Sequence, residues 1–182
     1  MVLGSHNTMS YLPLRNWWLY PFRFMARCQS VDYRQQYDRY GVRLFDLRIG
    51  FFGYDSPMFC HGFINYKGDV NEVLRWLNAK GDCTVRIILE KGNKDVFVRW
   101  VNHWKSTFRN INWVCGVKKS GWKNLCNLIS IENVTKHYYS SMQGNKIDDL
   151  YPKLWAKKHN SKYRGIIDVT DACYVMFDFI EY

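Results

Sequence analysis

Residues 41–48 read Gly-Val-Arg-Leu-Phe-Asp-Leu-Arg, and Ile49 extends the run. From Val42 to Ile49 the stretch is too short, and too rich in branched and apolar side chains, for a helix, so it reads as a buried strand. Asp46 and Arg48 interrupt it two residues apart, which places them on one face. Polar groups near the C-terminal end of such a strand sit where α/β barrels assemble their sites.

Working outward, Val31 to Tyr40 carries Tyr33, Tyr37 and Tyr40 at helical spacing, with Gly41 as a stop signal. Further upstream, the apolar Met1 to Leu3 gives way to Gly4-Ser5-His6-Asn7-Thr8, which puts His6 where a strand becomes a loop. Downstream, a turn-rich stretch with Gly53, Asp55, Ser56 and Pro57 leads into a strand and strand end over Met58 to Tyr66 that carries Cys60-His61-Gly62. Asp69, with Glu72 three residues on, resembles a capping box for a helix with Val70, Val73, Leu74 and Leu77 on one face. Gly81-Asp82 breaks that helix, Thr84 to Leu89 is the next strand, and a helix from about Asp95 points Phe97, Val101, Trp104 and Phe108 inward. The second half predicts short strands at Asn112 to Gly116 and Leu128 to Glu132 and a helix at Ile147 to His159. Apolar segments follow at Ile166 to Val169 and Tyr174 to Ile180.

This alternation of strands and helices predicts an α/β fold with a parallel sheet or barrel. At 182 residues the chain is shorter than the roughly 250 of a full eight-fold barrel, so the expectation is a compact, trimmed TIM-like β/α barrel. The absence of a Pro- or Ser-rich tract, of charge blocks and of repeats makes residues 1–182 a single domain.

A formal net charge of +10, spread along the chain, attracts anions: phosphate esters, acidic lipid surfaces or nucleic acid. Cys28, Cys60, Cys83, Cys115, Cys126 and Cys173 form no CxxC pair, and most lie in apolar runs, so they are expected as reduced core thiols. The sequence opens without a basic, apolar and cleavable leader and holds no apolar run near the roughly 20 residues of a membrane span. A soluble, cytoplasmic protein is expected on that pattern, or a secreted one if a leader has been removed. No feature specifies an oligomeric state.

Taken in order, Ser5-His6-Asn7-Thr8, the run 41–48 and His61-Gly62 with its following helix resemble the catalytic X region of phosphatidylinositol-specific phospholipases C. The bacterial, metal-independent branch is the nearer. The likeness extends through Thr84 to Glu90 and returns at Val175-Met176-Phe177-Asp178-Phe179-Ile180, whereas residues 92–162 align with nothing in the family.

The resemblance implies a phosphodiesterase that cleaves by attack of an adjacent hydroxyl through a cyclic phosphate. His6 is implied as general base, Asp178 as its orienting carboxylate, His61 as general acid and Arg48 as the phosphate-binding cation, with Asp46 on the same strand face. Asn7 and Glu90 are departures from the bacterial pattern and resemble the calcium-dependent eukaryotic branch; they are implied as substrate contacts. With Asp46 they also form an oxygen-ligand set for Ca2+. Arg48 weighs against that metal, because its charge would repel a divalent ion, so catalysis without a cofactor is the expectation.

Blander readings stand beside these. Arg48 and Asp46 could be a structural ion pair, Asp168 and Asp171 rival Asp178, and His103, His137 and His159 read as surface residues. The run Asn16-Trp17-Trp18-Leu19-Tyr20-Pro21-Phe22 between Arg15 and Arg23 has the make-up of an interfacial anchor for an anionic membrane, or packs under the barrel mouth. Phosphatidylinositol is the implied substrate; a soluble nucleotide, cyclic nucleotide or glycerophosphodiester is the alternative, and a non-catalytic anion binder a further one.

Overall fold

The computed structural model describes residues 2–53, 56–118, 128–130, 138–140, 151–164 and 174–182. Its strands are β1 (Val2–Ser5), β2 (Leu44–Gly50), β3 (Met58–His61), β4 (Ile64–Asn65), β5 (Thr84–Lys91), β6 (Asn112–Lys118), β7 (Leu128–Ser130), β8 (Tyr138–Ser140) and β9 (Tyr174–Phe177). Helices are α1 (Arg23–Ala26), α2 (Tyr33–Tyr40), α3 (Val70–Lys80), α4 (Lys94–Thr107) and α5 (Pro152–Arg164), with 3₁₀ turns at Thr8–Tyr11 and Trp17–Phe22.

The strands form one sheet in the order β7-β6-β5-β2-β1-β9-β8, parallel from β6 to β8. Among the described residues the path ends at β7 and β8, so the sheet curls as a trimmed barrel rather than a ring of eight. The last strand, β9, lies beside the first, β1, as barrel closure requires. Gly4 is needed at that contact: a Cβ there would come within 2.7 Å of Leu44 and 2.9 Å of Met176.

The helix signals act as expected. Asp69 caps α3 by accepting from the Asn71 and Glu72 amides, and Gly81 closes it at φ 81°. Glu72 does not complete a capping box; its side chain pairs with Arg34 at 3.0 Å instead. Asp32 and Gly41 bound α2, and Asn93 caps α4. Apolar side chains of β2 and β5 pack against α3 and α4 in one core that includes Leu47, Ile49, Leu74, Leu77, Ile87 and Phe97.

Three expectations need correcting. The strand over Met58 to Tyr66 is an antiparallel hairpin, β3 and β4, and β7 also runs antiparallel to its neighbour. The first has a geometric cause. Strand β1 stops at Ser5 opposite Phe45, leaving the upper edge of β2 unpaired, and β3 fills it with Phe59 opposite Ile49. Gly62, at φ 58°, turns the hairpin immediately after His61. The helix expected at 147–159 starts at Pro152 and runs to Arg164; residues 147–150 and 166–169 lie outside the described residues. Cys28, Cys60, Cys83 and Cys115 are buried and outside any disulfide among the described residues, and Cys126 and Cys173 lie outside the described residues. No described helix is long and apolar enough to cross a membrane.

Candidate active site

Strands β1 and β9 pair in parallel from Val2 opposite Tyr174 to Ser5 opposite Phe177, so His6 and Asp178 follow their last paired residues side by side. The backbone then turns sharply at both ends, with Asn7 at φ 42° and Phe179 at φ 46°. Left-handed backbone at a non-glycine residue costs on the order of 1–2 kcal/mol and tends to sit at functional sites. Its effect here is to halt both strands so that the two side chains meet. His6 Nδ1 lies 2.7 Å from Asp178 Oδ1. The buried amide of Gln29 donates to the carbonyls of both His6 and Phe177 and accepts from the Ile180 amide, tying the two strand ends together.

Arg48 Nη2 stands 2.8 Å from His6 Nε2. A guanidinium only donates, so Nε2 is the acceptor and the ring proton resides on Nδ1, facing Asp178. The arginine also donates from Nε to Asp46 at 3.0 Å and from Nη1 to Glu90 at 2.6 Å. Asp46 is a hub, because it also accepts from Arg86 Nη1 at 2.9 Å and from the Asn7 amide at 2.9 Å. Register explains this: Asp46 pairs with Arg86 across the parallel β2–β5 ladder. All these charges are buried. Burial opposes ionisation of Asp46, but the Arg48 and Arg86 charges and the Asn7 amide hold its carboxyl well below the usual range. Burial likewise opposes the Arg48 charge, and Asp46 and Glu90 outweigh it, keeping that group firmly protonated.

The hairpin carries His61 back over this cluster, its ring 6.2 Å from that of His6 and perpendicular to it. His61 Nδ1 donates to the Ala26 carbonyl at 3.2 Å, which leaves Nε2 directed away from that contact. Tyr66 Oη and the Asn7 side chain donate to the same carbonyl. Burial, then the Arg48 charge, lowers the His61 pKa to about 3. The residue is only partly buried, and the downward shift makes it neutral at pH 7.

The structure thus brings His6, Asp46, Arg48, Glu90 and Asp178 into direct contact, with His61 opposite. Asn7 is present, but it donates its side-chain amide to Ala26 and contributes its backbone amide to Asp46. The Ca2+ set of Asn7, Asp46 and Glu90 does not fit a divalent ion, because carboxylate oxygens of both acids are engaged by Arg48 and Arg86. Asp168, Asp171 and His137 lie outside the described residues. Arg86 and Gln29 were not anticipated. Arg86 leaves a trace in the sequence, a cation inside the apolar run 84–89, while Gln29 leaves none.

The aromatic run does not pack under the mouth. Trp17 is 78% exposed and Trp18 58%, with Tyr20 and Phe22 also exposed, and the run leads through α1 to Ala26, the residue that holds His61.

No protein-family model matches the chain, and no curated protein matches it. Among solved structures, it is similar to the phosphatidylinositol-specific phospholipase C of Listeria monocytogenes, with a TM-score of 0.64 over 98% of this chain and 87% of that one at 15% identity. A pentafluoro-Phe variant of the Staphylococcus aureus phosphatidylinositol-specific phospholipase C gives 0.63, covering 100% of this chain and 86% of that one at 13% identity. Another Staphylococcus aureus variant gives 0.60 over 100% and 85% at 14% identity. At these identities the likeness is one of fold.

Proposed function

We propose that the protein is a metal-independent phosphodiesterase of the phospholipase C type, with a phosphoinositide-like diester as substrate. The observation that carries this reading is His6 held between Asp178 at 2.7 Å and Arg48 at 2.8 Å, with a second imidazole 6.2 Å away. An oriented, carboxylate-backed imidazole is suited to take a proton from a hydroxyl. The fold it shares with phosphatidylinositol-specific phospholipases C supports the substrate class, as does the overall positive charge.

In the free protein the His6 lone pair is occupied by Arg48. A phosphodiester anion between the rings draws Arg48 Nη2 onto a phosphate oxygen, which frees His6 Nε2 to accept the proton of the adjacent hydroxyl. That oxygen attacks phosphorus, the ester oxygen leaves with a proton from His61, and a cyclic phosphate results.

Asp178 stabilises the imidazolium that His6 becomes. His61 lacks a carboxylate partner among its described contacts, so it relies on the phosphate charge to become protonated, and its low pKa then makes it a strong acid toward the leaving alkoxide. Arg86 holds Asp46, which holds Arg48. No step requires a divalent ion.

His6→Ala and His61→Ala test this against a panel of phosphodiesters that includes phosphatidylinositol, a cyclic nucleotide and a glycerophosphodiester. Each variant should lose about 10²–10⁴-fold in turnover while keeping its circular dichroism. Wild-type rates in either folded variant would remove the proton-transfer scheme, and inertness of the wild type toward every diester would leave an anion binder.

A further inference from the structure

Beneath the His6–Asp178 pair lies a buried thiol that the proposed chemistry does not use. Cys28 is fully buried, and its sulfur, a ring nitrogen of His6 and a carboxylate oxygen of Asp178 all lie within 4.8 Å of one another. The second oxygen, Asp178 Oδ2, makes no hydrogen bond among the described residues, although the residue is wholly buried. A buried anionic oxygen met by no donor stronger than the Cys28 thiol is poorly satisfied, which favours a cation beside it. Burial, then the neighbouring Asp178 charge and a weak hydrogen bond from the thiol to that carboxylate, keep the thiol protonated and its pKa well above the ordinary value.

We infer that His6, Cys28 and Asp178 form an inhibitory site for one thiophilic divalent cation of the zinc type. Sulfur, imidazole nitrogen and carboxylate oxygen are the ligand kinds zinc prefers, with bonds of about 2.0–2.3 Å and hence ligand atoms about 3.3–3.8 Å apart. The observed spread needs modest contraction from that geometry. The backbone holds the ligands close together: the Cys28 amide donates to Ser10 Oγ, the Phe179 amide donates to the Cys28 carbonyl, and Gln29 clamps the two strand ends. The Arg48 charge does not exclude the ion, being balanced by Asp46 and Glu90, unlike the Ca2+ set, whose acids are the ones Arg48 occupies.

Occupancy has a defined chemistry. The ion takes Cys28 as thiolate, whose proton leaves to solvent, and takes His6 through Nδ1, whose proton moves to Nε2. The ring then presents N–H where it must present a lone pair, and it faces the Arg48 donor it had accepted from. Base and phosphate-binding cation are disabled together, with no change of redox state.

Loss of turnover rests on the proposed role of His6; occupation of the three ligands does not. The chelator-stripped protein is titrated with cobalt chloride, read by its sulfur-to-metal charge-transfer absorption, and with zinc chloride, read by calorimetry and by inhibition. One ion per chain, a charge-transfer band, and a rise of at least tenfold in both the zinc dissociation constant and the inhibitory zinc concentration in Cys28→Ser relative to the wild type are expected. Cys28→Ala serves if the serine variant does not fold. Absence of the band, or zinc binding that neither Cys28 variant weakens, overturns the site. Binding that depends on Cys28 but does not slow an active enzyme keeps the site and overturns its inhibitory role. If no diester is turned over, the cobalt titration still decides the site.

Discussion

Replacing Asp178 by asparagine removes one charge and almost no volume from the interior. The asparagine Oδ1 can still accept the His6 Nδ1 proton, so the ring keeps its tautomer and its 2.8 Å contact with Arg48. Its NH2 group takes the place of Oδ2 next to the Cys28 sulfur, which can accept from it, so the cost to the fold there is small. What disappears is the attraction between the carboxylate and the imidazolium that forms only during reaction. For unit charges about 4 Å apart at an effective dielectric of about 20, that attraction is about 4 kcal/mol. Because it acts in the transition state and not in the free enzyme, it translates into about 10³-fold in kcat. The assay is turnover of a short, soluble diester, run beside urea denaturation of the same preparation. A variant as stable as the wild type and about 10³-fold slower supports the account. A rate within tenfold of wild type, or a loss matched by unfolding, refutes the reasoning that Asp178 acts through its charge.

Two further outcomes follow from other parts of the site. Since the folded-state pKa of His61 is lowered, the unfolded chain, with an ordinary value near about 6.5, binds a proton first as pH falls. The wild type therefore loses stability below that pH, by about 1–2 kcal/mol at pH 5, and His61→Gln should be free of this loss. Urea midpoints at pH 7.5 and pH 5 measure it, and parallel profiles for the two proteins would contradict it. Trp17→Ala with Trp18→Ala, both exposed rings, should weaken binding to anionic vesicles and cleavage in them while sparing a soluble diester; each nearby basic residue adds about 1 kcal/mol of attraction, which should leave residual, salt-sensitive binding. Wild-type indifference to such vesicles would favour a soluble substrate.

The parts of the fold legible in sequence are those set by short-range chemistry. Asp69 and Gly41 act as caps because capping is decided within a few residues, and the strand at 42–49 announces itself by the apolar and branched side chains on either side of Asp46 and Arg48. His6 and Asp178, 172 positions apart, are joined in advance by the family resemblance, and a barrel that sets its last strand beside its first makes that separation no obstacle. The β3–β4 hairpin could not be read as antiparallel, because that depends on β1 ending at Ser5 and exposing an edge of β2. Arg86 becomes part of the site only through the register that sets it opposite Asp46, and Gln29 only through the meeting of two strand ends. The pairing of Glu90 with Arg48 depended on which cation lay within reach.

The central claim, metal-free attack by a hydroxyl next to the scissile ester, is tested most directly by phosphorus NMR of the products formed in excess chelator. Phosphatidylinositol is compared with an analogue whose adjacent hydroxyl is methylated. The account predicts a five-membered cyclic phosphate from the first and no cleavage of the second. Cleavage that needs added calcium, or equal cleavage of both diesters without a cyclic product, would contradict it.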